Sequence, residues 1–153
     1  MTNLLKVAIF VFIAFLPGII GSQFSPGQWY VALNKPSWTP PGWIFAPVWT
    51  ILYLMIGVAG YWAWNSSGPS NRKAAFCVFA VQLILNATWS WVFFGLNSIP
   101  LSVVNITALW GLILTNIILF YRLSSGAGYL LIPYFLWTSF AAVLNWSIWR
   151  LNT

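Results

Sequence analysis

The sequence contains no aspartate, no glutamate and no histidine in 153 residues. Most enzymes use these side chains for proton transfer, metal ligation and nucleophile activation. Conventional hydrolysis, metal catalysis and a proton-driven pump are therefore excluded as activities of this chain alone. A single cysteine, Cys77, rules out an internal disulfide and a cysteine metal cluster. It falls within an apolar run, where a buried, inert thiol is expected. Charge is scarce too. Charged residues make up 4% of the chain, against roughly 25% in soluble proteins, and a soluble fold so poor in charge would aggregate. All six charges are positive: Lys6, Lys35, Arg72, Lys73, Arg122 and Arg150. They are scattered between apolar runs, so they read as membrane topology signals and anion contacts, with no nucleic-acid partner.

What is present points the same way. Hydrophobic residues make up 61% of the chain and twelve residues are tryptophan. Indole is flat, polarisable and carries one N–H donor, which suits apolar pockets and membrane interfaces. The length fits one domain over residues 1–153. Apolar stretches near 5–24, 43–64, 74–96, 101–121 and 127–149 each have about the length needed to cross a hydrocarbon core of roughly 30 Å as a helix. Backbone groups in lipid must bond internally, and the runs are too continuous for barrel strands. The expected fold is all-α: an integral membrane bundle of five transmembrane helices. The first helix, which follows Lys6, is expected to be retained rather than cleaved as a leader.

The connections differ in kind. Residues 65–73, 97–100 and 122–128 are short and polar. Residues 25–42 instead combine Pro26, Gly27, Pro36, Pro40, Pro41 and Gly42 with Trp29, Tyr30 and Trp38. The prolines cannot continue a regular helix, and a disordered linker would not be so aromatic. An ordered lid folded over one end of the bundle is expected. Five crossings place Lys6, Arg72, Lys73 and Arg122 on one side and Lys35 and Arg150 on the other, which favours a cytoplasmic N-terminus and an external lid.

Polar residues within the spans are expected to face the bundle interior. Gln82, Asn86 and Ser90 recur at i, i+4 and i+8 on the third span, beside Trp89. Asn105 and Asn116 share a face of the fourth. Trp137, Ala141, Leu144 and Ile148 share a face of the fifth, with Asn145 two turns beyond Trp137. Trp49 and Tyr53 lie one turn apart on the second. Gln82, Asn116 and Asn145 are expected to make interhelical hydrogen bonds, Asn86 to line a pocket, and Trp43, Trp62 and Trp64 to anchor the membrane interface.

Three ordered sets of residues carry a resemblance. The first is Trp29-Tyr30, Leu33, Lys35-Pro36, Trp38, Pro40-Pro41, Phe45, Val48-Trp49 and Leu52-Tyr53. The second is Gln82-Leu83, Leu85-Asn86, Trp89-Ser90 and Phe93-Phe94. The third is Leu130-Leu131, Pro133-Tyr134, Trp137, Phe140-Ala141, Leu144-Asn145, Ile148-Trp149 and Leu151-Asn152. Over nearly its whole length the chain resembles the translocator protein family, also called tryptophan-rich sensory proteins or peripheral benzodiazepine receptors. The resemblance implies a five-helix bundle, often a homodimer, with a ligand pocket under the first loop. The implied ligands are porphyrins such as protoporphyrin IX, drug-like isoquinoline carboxamides and benzodiazepines, and in some members cholesterol. By motif position the pocket would include Tyr30, Trp49, Asn86, Trp137 and Ala141, with Trp29 and Trp38 in the lid. The implied location is a bacterial cell membrane, with the mitochondrial outer membrane as the alternative.

The chemistry fits such a ligand. Indole faces stack on a porphyrin disc, and Tyr30 and Asn86 can bond its polar edge. Lys35 either pairs with a propionate or is solvated. No cofactor is required, and the porphyrin is a ligand. Haem fits less well than metal-free porphyrin, because no axial ligand has supporting spacing. Two positions depart from the family pattern. Trp146 stands where the sterol-recognition pattern has Tyr, and Asn105 stands where many relatives carry Asp. Three functions stay open: a receptor or sensor for tetrapyrroles, a light-dependent porphyrin-degrading enzyme with Trp49 and Trp137 as its catalytic indoles, and a passive sterol or porphyrin transporter.

Overall fold

The computed structural model describes residues 2–69 and 71–153. Helix α1 (Asn3–Gly21) leads through a short loop to α2 (Gln28–Ala32). A 3-10 turn (Gly42–Ile44) opens α3 (Phe45–Trp64). Helix α4 (Arg72–Ser90) widens into a π turn (Trp91–Gly95). Helix α5 (Ile99–Leu123), the short α6 (Ser125–Leu130) and α7 (Ile132–Leu151) complete the chain. Five of these units are long and apolar enough to cross a membrane: Asn3–Gly21, Gly42–Trp64, Arg72–Gly95, Ile99–Leu123 and Ser125–Leu151. The protein is a multi-pass membrane protein with an all-helical bundle, and the observed spans follow the five apolar stretches closely.

Local chemistry sets the boundaries. The Leu5 N–H donates to Thr2 Oγ1 at the start of α1, and the Ala74 N–H donates to Asn71 Oδ1 at the start of α4. These bonds satisfy donors that a helix N-terminus otherwise leaves free. The fifth span is interrupted at Leu131, between α6 and α7. Pro133 has no N–H for the carbonyl one turn earlier, so the helix breaks and restarts there.

Helix α1 packs on α3 and α4, while α5 packs on α4 and α7. Lipid tails are as apolar as leucine, so close backbone approach does much of the holding. Gly57 shows how close. A Cβ there would sit 2.5 Å from Val11 Cα, and one at Gly60 would sit 2.9 Å from the Phe10 ring. The outer surface carries exposed Phe12, Ile51, Ile84, Val104, Leu136 and Val143, as a lipid-facing surface requires. Cys77 lies on that outer surface and is exposed, not buried as expected. It shares a helical stripe with exposed Val81 and Ile84. Lipid and protein interior are equally apolar, so an apolar run in a membrane helix does not distinguish inside from outside.

The two ends of the bundle are built differently. At one end residues 65–69 meet the α5–α6 turn: Gly68 lies against the carbonyls of Arg122 and Leu123, and Gly126 lies against Trp62. At the other end residues 25–42 form an ordered lid. It contains α2, a turn closed by Thr39 N–H to Pro36 O (3.0 Å), and the entry turn of α3, where the Ile44 N–H donates to Pro41 O (3.1 Å). Exposed Trp43 sits at the lid end of α3, and exposed Trp62 and Trp64 sit at its other end. Those are interface depths.

Candidate functional site

Beneath the lid the chain brings together two clusters of aromatic rings. The first joins the lid, α3 and α7. Trp38 of the lid meets Phe140 edge-on at 5.9 Å between ring centroids. Phe140 lies 5.4 Å from Trp137, and Trp137 meets Phe45 at 5.7 Å. A separate group lies deeper on α3, where Trp49 stacks on Tyr53 at 5.3 Å and meets Tyr134 edge-on at 6.0 Å. The second cluster joins the lid to α4. Trp29 and Tyr30 both pack edge-on against Phe93, at 5.5 and 6.0 Å, and Tyr30 also meets Phe94 at 5.5 Å. Trp89 stacks nearly parallel on Phe93 at 5.1 Å. Edge-to-face and offset pairs of this kind add attraction beyond simple burial.

The residues singled out in the sequence fall around these clusters. Trp38 and Trp137 meet through Phe140. Trp29 and Tyr30 meet on Phe93. Burial lifts the Tyr30 phenol above its ordinary range, so at neutral pH it is uncharged. Ala141 follows Phe140 on α7 and is half-buried.

Asn86 is almost fully enclosed, at 7% exposure. Its amide lies in a chain of hydrogen bonds that ties three helices together. The Tyr53 hydroxyl donates to Asn86 Oδ1 (2.9 Å). Asn86 Nδ2 donates to the Tyr134 hydroxyl (2.8 Å), which donates onward to Gln82 Oε1 (2.9 Å). Asn86 thus reaches Trp49 only through Tyr53 and Tyr134, the two phenols that this indole packs against.

Two buried donors in this region have no acceptor: the Trp137 indole Nε1–H and Gln82 Nε2. An unmade hydrogen bond at a buried donor is unfavourable. The indole lies one ring away from Trp38 of the lid.

Lys35 is bonded within the lid rather than solvated. Its ammonium donates to the carbonyls of Tyr30 (2.6 Å), Leu33 (2.9 Å) and Val31 (3.2 Å), and lies 4.7 Å from the centroid of the Tyr30 ring. All three N–H groups are engaged in capping α2 and its following turn, where the last carbonyls of a helix lack partners.

The remaining intramembrane amides are structural. Asn145 Oδ1 accepts from the Trp89 indole (2.9 Å), and its Nδ2 donates to Ser102 Oγ (3.0 Å). Asn105 Nδ2 donates to Thr88 Oγ1 (3.0 Å), and Asn116 Nδ2 donates to Ala75 O (3.2 Å). Sequence reasoning did not single out Tyr134, Phe45, Phe93 or Phe140 as site residues. The available signal was their spacing: Tyr134 precedes Trp137 by three positions and Ala141 by seven, on one helical face.

The sequence pattern of the TspO/MBR family matches residues 7–150. Over 154 residues the chain is 40% identical to the tryptophan-rich protein TspO of Chlorobaculum tepidum, covering 98% of both. It is 36% identical over 138 residues to the translocator protein of Homo sapiens, covering 87% of this chain and 82% of that one. The tryptophan-rich sensory protein of Cereibacter sphaeroides is 35% identical over 136 residues, covering 89% and 84%. With the pattern matched from the first span to the last, this chain belongs to the TspO/MBR family.

Proposed function

We propose that this protein is a membrane receptor that binds protoporphyrin IX-like tetrapyrroles, and flat drug-like aromatics, between the lid and the aromatic faces of α3, α4 and α7. It would work as a homodimer in a bacterial cell membrane and be linked to tetrapyrrole handling or transport. The observation that carries the reading is the Trp137 indole: a buried N–H without an acceptor, set among Phe45 and Phe140 and one ring from Trp38. A large aromatic ligand bearing carbonyl or carboxylate groups offers such a site both a face for its rings and an acceptor for its donor. The absence of any acidic side chain disfavours cationic ligands, which would be buried here without a counter-charge. Each edge-on ring pair is worth on the order of 1 kcal/mol, so a disc that takes over several of them offsets their loss.

The test is a titration of protoporphyrin IX into the detergent-solubilised protein in the dark, following tryptophan emission. Wild type should quench saturably, and Trp137→Phe should bind more weakly while remaining folded. Linear, non-saturating quenching that is identical in both proteins would refute the reading. Illumination of the same samples separates a receptor from a porphyrin-degrading enzyme. A new absorbing product formed with wild type, and not with Trp137→Phe at porphyrin concentrations that saturate both proteins, would make Trp137 catalytic; the same comparison with Trp49→Phe tests Trp49.

A further inference from the structure

The lid is fastened to the far end of α7 by one side chain. The Asn34 backbone N–H donates to Asn152 Oδ1 (3.0 Å), and Asn152 Nδ2 donates back to the Asn34 backbone carbonyl (2.9 Å). The second hydrogen of that amide donates to Ile148 O (2.7 Å), on Asn152's own helix. The Asn152 backbone N–H in turn donates to Trp149 O (3.1 Å). The amide is therefore held in place by α7 and pairs with Asn34 as a neighbouring β-strand would. A longer bond, from Asn34 Nδ2 to Leu151 O (3.4 Å), adds to it.

We infer that Asn152 is a latch that holds the lid shut and sets how fast ligand enters and leaves the site beneath it. In its ligand-exchange part the inference rests on the binding site proposed above. Three observations support it. First, the lid is built to move as a unit, because Lys35 ties the carbonyls of Tyr30, Val31 and Leu33 together from within. Second, its two ends, Ser25-Pro26-Gly27 and Pro40-Pro41-Gly42, are not packed in at their glycines, since a Cβ at Gly27 or Gly42 would meet nothing within 4 Å. Third, the lid's ring contacts lie over the site: Trp38 on Phe140, and Trp29 and Tyr30 on Phe93. An aromatic ligand can replace those contacts ring for ring. It cannot replace the paired bonds between Asn34 and Asn152, which lie at the rim and connect backbone to amide. The latch thus adds the same stability to the closed lid with or without ligand, and its loss should change rates more than affinity.

Two spin labels test this without any ligand. In a Cys77→Ser background, Ser37→Cys and Ser67→Cys place exposed labels in the lid and in the loop at the opposite end of the bundle, roughly 40 Å apart across one membrane thickness. With the latch intact a single distance is expected. Asn152→Ala removes both paired bonds, and the population at longer distance should rise roughly thirtyfold, from about fivefold for each bond. Asn34→Ala keeps both backbone groups and loses only the longer bond to Leu151 O, so it should open the lid far less than Asn152→Ala. Should Asn152→Ala not fold, Asn152→Asp keeps the Oδ1 acceptor and should open the lid to an intermediate extent. An unchanged distribution in the Asn152 variant, or equal opening in Asn34→Ala, overturns the latch. In stopped-flow mixing with protoporphyrin IX, Asn152→Ala should raise association and dissociation rates by a similar factor. Faster dissociation alone would make Asn152 a ligand contact and also overturn the latch. Failure of the wild-type protein to bind porphyrin would refute the binding site, and the spin-label distances would still decide the latch.

Discussion

Tyr134→Phe is the sharpest test of the buried hydrogen-bond chain. Tyr134 is fully enclosed, so the substitution removes one oxygen and leaves packing nearly intact. Two bonds are lost: Asn86 Nδ2 to the hydroxyl (2.8 Å) and the hydroxyl to Gln82 Oε1 (2.9 Å). Gln82 is then left with no partner at either end of its amide, because its Nε2 has none to begin with. Figures from water-soluble proteins give about 1–3 kcal/mol for each buried group left unpaired. Interhelical bonds in membranes average nearer 0.6 kcal/mol, because polar groups also find partners in the membrane-embedded unfolded state. The membrane value governs here, and the expected loss is about 1–2 kcal/mol for the two bonds. Tyr53→Phe removes one bond, the donation to Asn86 Oδ1, and should lose about half as much. The double variant should lose less than the sum, because both hydroxyls act through Asn86. Denaturation in mixed detergent micelles, followed by near-ultraviolet circular dichroism, measures all three. A Tyr134→Phe protein as stable as wild type, or a strictly additive pair, would refute the idea that the three helices are joined through this chain.

Other outcomes follow from single contacts. Ala141→Phe adds a ring to the wall beside Phe140 and should weaken protoporphyrin IX binding by tenfold or more (about 1.4 kcal/mol) in the quenching titration; unchanged affinity would place the ligand elsewhere. Lys35→Met removes the cap of α2 and should speed amide exchange in the lid. Because Lys35 is committed to the Tyr30, Val31 and Leu33 carbonyls, the ratio of affinities for protoporphyrin IX and its dimethyl ester should not change, whereas a selective loss of diacid binding would return Lys35 to the role of propionate partner. Gly57→Val places a Cβ 2.5 Å from Val11 Cα, where only backbone movement makes room. Its melting temperature should fall by an amount equivalent to about 1–3 kcal/mol, and a melting temperature equal to wild type would show that α1 is not seated as described.

Which parts of the site were readable in the sequence follows from which forces left a pattern in it. The lid was readable because its prolines and glycines exclude a helix while its indoles exclude a disordered linker. Trp38 and Trp137 were singled out by the resemblance, one for the lid and one for the pocket, but Phe140, the ring that joins them, was not, because a phenylalanine in an apolar helix looks the same whether it faces lipid, a neighbour or a ligand. Asn86 was readable as an inward-facing residue from its stripe with Gln82 and Ser90. Its partners were not, since Tyr53 and Tyr134 lie 33 and 48 positions away and meet it only once three helices pack.

The sequence by itself determined the solvent, the number of crossings and the excluded chemistry. Those depend on sums over the chain: apolar length against bilayer thickness, and the absence of acidic and imidazole side chains. Only the tertiary structure decided that Cys77 faces outward, that Lys35 caps its own helix and that Asn152 grips the lid. Each of these depends on where one polar or sulfur atom comes to rest relative to others far along the chain or in a folded turn. In a membrane the outside of the protein is as apolar as the inside, so hydrophobic pattern alone carries no record of that choice.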